Sequence, residues 1–461
     1  MKRKIKVLFV TAECFPYAKV GGLGQISESL PKWLFNQNID IKRVTPFYRG
    51  SYCKVRYKAD FPVKINNKYE TCIIKTAEKD DDIATYFIVN DYYFNRDKVY
   101  SYYDDGERFL FFCKAVLNML KVIPYKPDII HCNDWHTGLL PLYLKKEGFG
   151  GKVIFTIHNL KYQGCIGAEY VDELSKEEAS YLGENNFINF MRSGFAYSDV
   201  ITTVSDAYSK EIMENSFGME DIIREKNIKI KGIINGIDNE KYNPSKEGDL
   251  IFPYSIKSIE NKKKNKEALQ RDLGLEVLDV PLIAVVGRLE EEKGIKLIHD
   301  AVLNIKKPFQ FVLLGSKNIY YEQIFTNMQN NMKGKMKAIF EYNEVLAKRI
   351  YASSDILLMP SLYEPCGISN IIALRYGSIP IVRSTGGLKD TIIDFTFDEK
   401  NGNGFCFEEY DSERLLDRIN TALELYNTKK WDIIVKNAMK CDNSIEKTAQ
   451  KYASLYRMVL E

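Results

Sequence analysis

Two cations and one acid stand out, because their types and spacing suit the departure of a phosphate leaving group. Arg288 and Lys293 lie five residues apart in Gly287-Arg288-Leu289-Glu290-Glu291-Glu292-Lys293-Gly294, directly after the apolar run 282–286. Arg288 offers a fixed bidentate fork for phosphate oxygens and Lys293 a mobile point charge. Such a pair stabilises the negative charge that grows on a diphosphate as a sugar–phosphate bond breaks. The other reading of the same residues is a surface cluster in which Glu290, Glu291 and Glu292 neutralise both cations. The acid is Glu364, in Glu364-Pro365-Cys366-Gly367-Ile368-Ser369-Asn370. This stretch reads as a loop entering a helix, which places a carboxylate beside the unpaired N–H groups of a first helical turn. Pro360 and Pro365 discourage regular structure before that helix. Ser384-Thr385-Gly386-Gly387-Leu388 adds a glycine turn after the next apolar run, 379–382.

Three further constellations occupy the first half of the chain. Lys19-Val20-Gly21-Gly22-Leu23-Gly24 precedes a helical pattern, so a backbone can approach a ligand closely there and a helix start can offer N–H donors to an anion. Gly22 to Ser27 half matches the dinucleotide fingerprint. Some eight residues separate it from the preceding strand, however, whereas that fingerprint follows its strand directly, and a plain tight turn is the other reading. His131-Cys132-Asn133-Asp134-Trp135-His136 and Thr156-Ile157-His158-Asn159-Leu160-Lys161-Tyr162-Gln163-Gly164 each close an apolar run. Three of the four histidines fall in these two loops without the spacing of a zincin helix, so a metal site is not expected. Asp134, Trp135, His158, Asn159, Tyr162 and Gln163 combine stacking faces with hydroxyl-binding groups, which suits a carbohydrate cleft. Satisfied polar groups at strand ends are the alternative.

The elements that must position these residues recur along the chain. Apolar runs at 4–11, 39–44, 83–89, 129–132, 153–157 and 200–204 are too short for helices and read as strands buried on both faces of a parallel sheet. Helical patterns separate several of them, the clearest at 107–122, where Phe109, Phe112, Val116, Met119 and Leu120 share one face. The alternation implies right-handed βαβ units and a doubly wound, Rossmann-like domain over 1–240. Residues 241–268, with Asn261-Lys262-Lys263-Lys264-Asn265-Lys266, read as a solvated interdomain linker and helix start. A second strand series at 282–286, 310–314, 336–340, 356–359, 379–382 and 404–407 gives a second Rossmann-like domain over 269–443. Ile445, Ala449, Tyr452, Leu455, Tyr456 and Val459 form a helical stripe in 444–461, a segment expected to pack back on the first domain.

Composition narrows the function classes. With 65 basic and 62 acidic side chains, the net charge of +3 leaves no strong field for nucleic acid or an anionic membrane, so any anion must be met locally. Nine cysteines scattered without C-x-x-C pairs argue for a reducing compartment and against a disulfide framework or structural zinc. No apolar stretch approaches the ~20 residues of a membrane span and no signal-peptide pattern is seen, so the expectation is a cytoplasmic protein.

Taken in order, Lys19 to Gly24, His131 to Gly138, Thr156 to Gly164, Asn235-Gly236-Ile237-Asp238, Arg288 to Gly294, Glu364 to Gly367, Arg375-Tyr376-Gly377 and Thr385 to Asp390 resemble the bacterial glycogen synthases and plant starch synthases. The resemblance covers nearly the whole chain. It implies a GT-B fold, α/β with two Rossmann-like doubly wound parallel-sheet domains facing a central cleft. It also implies retaining transfer of glucose from ADP-glucose to the non-reducing 4-hydroxyl of an α-1,4-glucan, without cofactor or metal. A homo-oligomer is left open.

Carried over motif by motif, the resemblance makes Arg288, Lys293, Glu364 and His158 the catalytic group. Lys19, Gly21 and Gly22 would meet the donor from the first domain. Asn235 and Tyr363 would lie near the nucleotide, with Tyr363 beside the adenine. Cys366, Gly367 and Ile368 would present N–H groups to the glucose, and Thr385, Gly386 and Gly387 would border the phosphates. Asp134, Asn159, Tyr162 and Gln25 would shape the sugar and acceptor cleft. The chain departs from the family at Gln25, where an Asp is usual, and at Gly315-Ser316-Lys317-Asn318, where Gly-Thr-Gly-Asp is common. These departures leave two alternatives: a low-activity glucan-binding paralogue, or a transferase with a different nucleotide sugar or acceptor.

Overall fold

Continuously apolar runs flanked by glycine and proline have no polar face to turn toward water, so they become inner strands covered by helices on both sides. The computed structural model describes residues 3–78, 83–171, 173–316, 318–341 and 343–461, and it forms two units. Lys317 lies outside the described residues. One unit runs to Asn235 and adds Ile445–Glu461, and the other is Gly236–Ser444.

The first unit contains β1 (Ile5–Val10), β2 (Ile39–Pro46), β3 (Val55–Ile65), β4 (Lys68–Ala77), β5 (Thr85–Val89), β6 (Ile129–Asn133), β7 (Lys152–Ile157), a short antiparallel ribbon of β8 (Cys165–Gly167) and β9 (Phe187–Asn189), β10 (Val200–Thr203) and β11 (Ile230–Gly232). Nine of these form one sheet in the order β11-β10-β7-β6-β1-β2-β5-β4-β3. Pairing is parallel from β11 to β5, and β4 and β3 then add an antiparallel hairpin at the edge. Val7, Leu8, Phe9 and Val10 of β1 are fully buried at the centre. The hairpin has no counterpart among the apolar runs, because β3 carries Arg56, Lys58, Asp60, Pro62 and Lys64. Charge and proline of this kind mark an edge strand protected against further pairing.

The helix Ile445–Leu460 belongs to this unit. Its tyrosines point into the sheet: the Tyr456 hydroxyl lies 2.7 Å from His131 Nδ1, and Thr448 Oγ1 donates to the Ile234 carbonyl at 2.8 Å. Arg457 adds a bond to the Gln37 carbonyl at 3.1 Å.

The second unit has six parallel strands: β12 (Leu282–Arg288), β13 (Gln310–Ser316), β14 (Met336–Ile339), β15 (Ile356–Met359), β16 (Ile379–Arg383) and β17 (Phe405–Phe407). Their order, β14-β13-β12-β15-β16-β17, is the 3-2-1-4-5-6 arrangement of a dinucleotide-binding fold. In such sheets the crevice lies where the strand order reverses, outside the carboxyl ends of the first and fourth strands. Here that crevice is flanked by the loops after β12 and β15. In the first unit the same reversal falls between β1 and β6.

The lysine run corrects the linker reading. Helix Glu260–Asp272 buries Lys262, Asn265, Lys266 and Leu269 on one face, the i, i+3, i+4, i+7 spacing of an amphipathic helix, and leaves Lys263 and Lys264 in water. Lys262 Nζ donates to the Tyr351 and Ala352 carbonyls at 3.0 and 3.1 Å, and burial lowers its pKa to about 7. Lys266 Nζ lies 2.6 Å from Asp355 Oδ2. Upstream, the buried Tyr254 donates to the Tyr376 carbonyl at 2.7 Å. Residues 241–268 are therefore packed parts of the second unit, held by long side chains whose charged ends find carbonyls and a carboxylate.

Candidate active-site loops

In the second unit Lys293 and Glu364, two of the residues singled out by their chemistry, meet at the strand-order reversal. Lys293 Nζ lies 2.8 Å from Glu364 Oε2, and Ser361 Oγ donates to the same oxygen at 2.9 Å. Both side chains are largely shielded, with 22% of Lys293 and 11% of Glu364 exposed, so removing either partner strands a charge in a poorly hydrated place. Arg288 is more open, with 42% of its side chain exposed. It pairs with Glu290 at 2.9 Å and approaches Glu292 at 3.9 Å. The neutralised surface cluster weighed from the sequence thus holds for Arg288, while Lys293 reaches across to the other loop. An exposed pair of this sort is weak and can be exchanged for a phosphate.

The two loops are fastened together. Leu362 N donates to the Glu292 carbonyl at 2.8 Å. Gly386 and Gly387 press against the backbone of the Glu364 loop. A Cβ on Gly386 would come within 2.0 Å of the Glu364 carbonyl oxygen, one on Gly387 within 2.0 Å of that of Cys366, and Gly386 has φ +47°. Gly387 N donates to the carbonyls of Glu364 and Pro365 at 3.1 and 3.2 Å. The expected glycine turn is instead the start of a helix, Gly386–Thr391, with Thr385 at its N-cap, and the glycines are needed for this close backbone contact. Gly367 is the N-cap of helix Ile368–Arg375 and brings no side chain to it, so the first-turn N–H groups beside buried Cys366 suit a polar ligand. Tyr363 is partly buried on the same loop.

In the first unit, β6 and β7 end beside each other. Asp134 Oδ1 accepts from the backbone N–H of His158 at 2.7 Å and of Asn159 at 3.2 Å. Asp134 has φ 59° and ψ 177°, a region that glycine occupies almost alone. Strain of this kind gathers at functional sites. Burial pushes its carboxyl pKa up to about 7, against the two amide bonds, and the neighbouring Glu13 adds to the rise. Asn133 Nδ2 donates to the carbonyls of Val10 and His131 at 3.1 and 3.3 Å, so its Oδ1 faces His158 Nε2 at 3.0 Å as an acceptor. His158 therefore carries its proton on Nε2, and its Nδ1 is an acceptor. Burial draws its pKa down to about 3, which keeps the ring neutral. The Asn159 side chain caps the turn at Lys161 N, and Tyr162 is 47% exposed. His131 is a core residue, bonded to Tyr456 and at 2.6 Å to Thr156 Oγ1.

The glycine loop carries a feature that pattern reading missed. Glu13, only 4% exposed, accepts from the backbone N–H of Val20 at 2.7 Å and of Gly21 at 3.0 Å, and the Tyr100 hydroxyl donates to its other oxygen at 2.9 Å. Two N–H groups of the loop are thus taken by the protein's own carboxylate, and those from Gly22 onward begin the helix Gly22–Asn36. Lys19 Nζ sits 5.6 Å from the centre of the Phe15 ring. Gln25 is buried at 7% exposure on the first turns of that helix, and Asn235 is buried at 3%. The signal that could have found Glu13 is an acid in the otherwise uncharged stretch Thr11-Ala12-Glu13-Cys14-Phe15.

Two α/β units on largely parallel sheets are the build of the GT-B glycosyltransferases, the class to which the structural relatives of this chain belong. Sucrose-phosphate synthase from Thermosynechococcus elongatus shares the fold alone, with a TM-score of 0.65 at 18% identity over 99% of both chains. The catalytic domain of starch synthase IV from Arabidopsis thaliana, solved bound to ADP and acarbose, aligns with a TM-score of 0.91 at 30% identity over 99% of this chain and 100% of that one. The starch synthase catalytic domain family matches residues 6–225, and glycosyl transferases group 1 matches residues 266–440. Glycogen synthase from Clostridium beijerinckii is 41% identical, covering 98% of this chain and 99% of that protein; the one from Clostridioides difficile is 40% identical, covering 99% and 100%. The chain belongs to the glycogen synthase family.

Proposed function

We propose that the chain transfers glucose from ADP-glucose to the non-reducing 4-hydroxyl of an α-1,4-glucan, with retention at the anomeric carbon and without a metal. The observation that carries this reading is the Lys293–Glu364 contact of 2.8 Å beside Arg288 at the strand-order reversal of the second unit. Lys293 keeps two N–H donors beyond the one on Glu364, and Arg288 can release Glu290, so both can meet the diphosphate as its charge grows. Glu364 would bond the glucose or its oxocarbenium-like transition state, with the N–H groups of Cys366, Gly367 and Ile368 on the sugar hydroxyls. Tyr363 and Asn235 would serve the nucleotide, and Thr385, Gly386 and Gly387 the phosphate edge. Neutral His158 offers Nδ1 to a hydroxyl of the transferred sugar. Asp134, Asn159 and Tyr162 would shape the acceptor's approach, and Lys19, Gly21 and Gly22 would complete the donor site. The ADP and acarbose in the Arabidopsis relative support an adenine nucleotide and a saccharide acceptor. Nine cysteines outside any disulfide suit a cytoplasmic enzyme.

The test is ADP release on incubation with ADP-glucose and glycogen, run beside UDP-glucose and with EDTA present. Release from ADP-glucose, undiminished by EDTA, and an α-configured product by proton NMR are expected. A folded protein that releases no ADP would overturn the reading. Gln25, a buried amide where the family carries a carboxylate, favours one second reading, a glucan-binding protein of low turnover. Glycogen co-sedimentation without ADP release would select it.

A further inference from the structure

Two side chains outside the assigned roles stitch the catalytic loops of the second unit. Arg383 closes β16, and its guanidinium donates to three carbonyls: Nε to Ser361 at 2.9 Å, Nη2 to Leu362 at 2.6 Å and Nη1 to Glu408 at 3.2 Å. The Tyr410 ring lies 6.0 Å from the Arg383 guanidinium carbon, and its hydroxyl donates to the Glu291 carbonyl at 3.1 Å. These bonds join the loops that follow β12, β15 and β17.

The geometry of what they hold is specific. Fixing the carbonyls of Ser361 and Leu362 fixes the residue whose Oγ donates to Glu364 Oε2 at 2.9 Å. Fixing the Glu291 carbonyl holds the turn Glu291–Lys293, from which Lys293 reaches the same carboxylate oxygen. A planar fork serving several carbonyls at once is a task for Arg and not for Lys. We propose that Arg383 and Tyr410 are positioning residues, which set the relative placement of Lys293 and Glu364 from outside the reacting groups. The inference rests on the roles proposed for Lys293 and Glu364.

The experiment compares Tyr410→Phe, Arg383→Lys and Arg383→Ala with the wild-type chain in the ADP-release assay, together with thermal unfolding. Tyr410→Phe keeps the ring on Arg383 and removes one hydrogen bond at a residue that is 36% exposed. Its Tm should stay within about 2 °C of wild type. Its kcat should fall about fivefold, the worth of one hydrogen bond, with KM for glycogen unchanged. Arg383→Ala should lose about 100-fold in kcat through misplacement, Arg383→Lys should recover little, and added methylguanidinium should restore Arg383→Ala several-fold. A Tyr410→Phe enzyme with wild-type kcat would overturn the proposal, as would losses in Arg383→Ala that follow Tm alone and do not respond to methylguanidinium. If the wild-type chain releases no ADP, the functional reading fails separately. Hydrogen exchange at amides 288–294 then decides: about fivefold faster exchange in Tyr410→Phe supports the tether, and unchanged exchange refutes it.

Discussion

Gly387→Ala probes the site through its backbone. The added Cβ would lie 2.0 Å from the Cys366 carbonyl oxygen and 2.6 Å from that residue's carbonyl carbon and Cα. An ordinary carbon–oxygen contact is about 3.3 Å, so roughly 1.3 Å must open between the start of helix Gly386–Thr391 and the Glu364 loop. No flexible side-chain end can give way, because every atom met is backbone. If the unit accommodates the methyl by local shifts, overpacking costs about 1–3 kcal/mol of stability. The loop that moves carries Glu364 and the N–H groups entering helix Ile368–Arg375, whereas Arg288 is held by its own strand. Misplacement by about 1 Å at a catalytic group costs on the order of 100-fold, so kcat/KM for glucosyl transfer should drop by about that factor. The affinity for ADP, measured by calorimetry, should fall far less. Gly248→Ala is the control, since its Cβ would meet nothing within 4 Å. Wild-type kcat/KM in Gly387→Ala, or an equal loss in Gly248→Ala, would refute the reasoning.

Other perturbations test the first unit. Asp134 has a folded pKa of about 7, above the ordinary carboxyl value, so the folded chain holds a proton that the unfolded chain gives up. Its contribution to stability is therefore present below pH ~4 and is lost as pH rises through about 7. Asp134→Asn keeps an oxygen for the two amides, so its Tm relative to wild type should rise between pH 5 and pH 8; a difference that stays constant would refute the assignment. Tyr456→Phe leaves His131 Nδ1 buried without its 2.7 Å partner and should cost about 1–3 kcal/mol in urea unfolding. A change within error would show that water replaces the hydroxyl. Gln25→Asp should raise kcat/KM for ADP-glucose several-fold if a carboxylate there makes charge-assisted bonds, which are about twice as strong as neutral ones. No gain in the same assay would remove Gln25 as the determinant of turnover.

Both sheets were legible because most of their inner strands are short apolar runs, β2 with Asp40, Lys42 and Arg43 excepted, and most loops of interest follow those runs closely. The edge hairpin β3–β4 was not, since a half-exposed edge strand alternates charge with apolar residues and shows no such run. The lysine-rich helix was misread for a related reason: composition marks lysine as solvated, and only the 3.6-residue spacing of Lys262, Asn265, Lys266 and Leu269 shows which ends are buried. Arg288, Lys293 and Glu364 could be named from residue type and place in the chain. Glu13 and Arg383 could not, because their partners, mostly backbone groups, are brought close only by folding.

The two units place their acids in opposite settings, and this decides which part of the substrate suits each. Glu364 meets a lysine and a hydroxyl beside an arginine, so a diphosphate arriving there finds two cations already held at a strand-order reversal. Asp134 and Glu13 meet backbone amides and a tyrosine hydroxyl, and their mutual repulsion contributes to the raised pKa of Asp134. A second anion would be repelled at that place, whereas neutral sugar hydroxyls can donate to the acids and to His158 Nδ1. The charge of the loops in the second unit thus suits phosphates, and that of the loops in the first suits sugar hydroxyls. Arg288 is the exposed cation of the second unit, so Arg288→Gln should raise KM for ADP-glucose more than KM for glycogen. The reverse order, measured in the same ADP-release assay, would overturn the assignment.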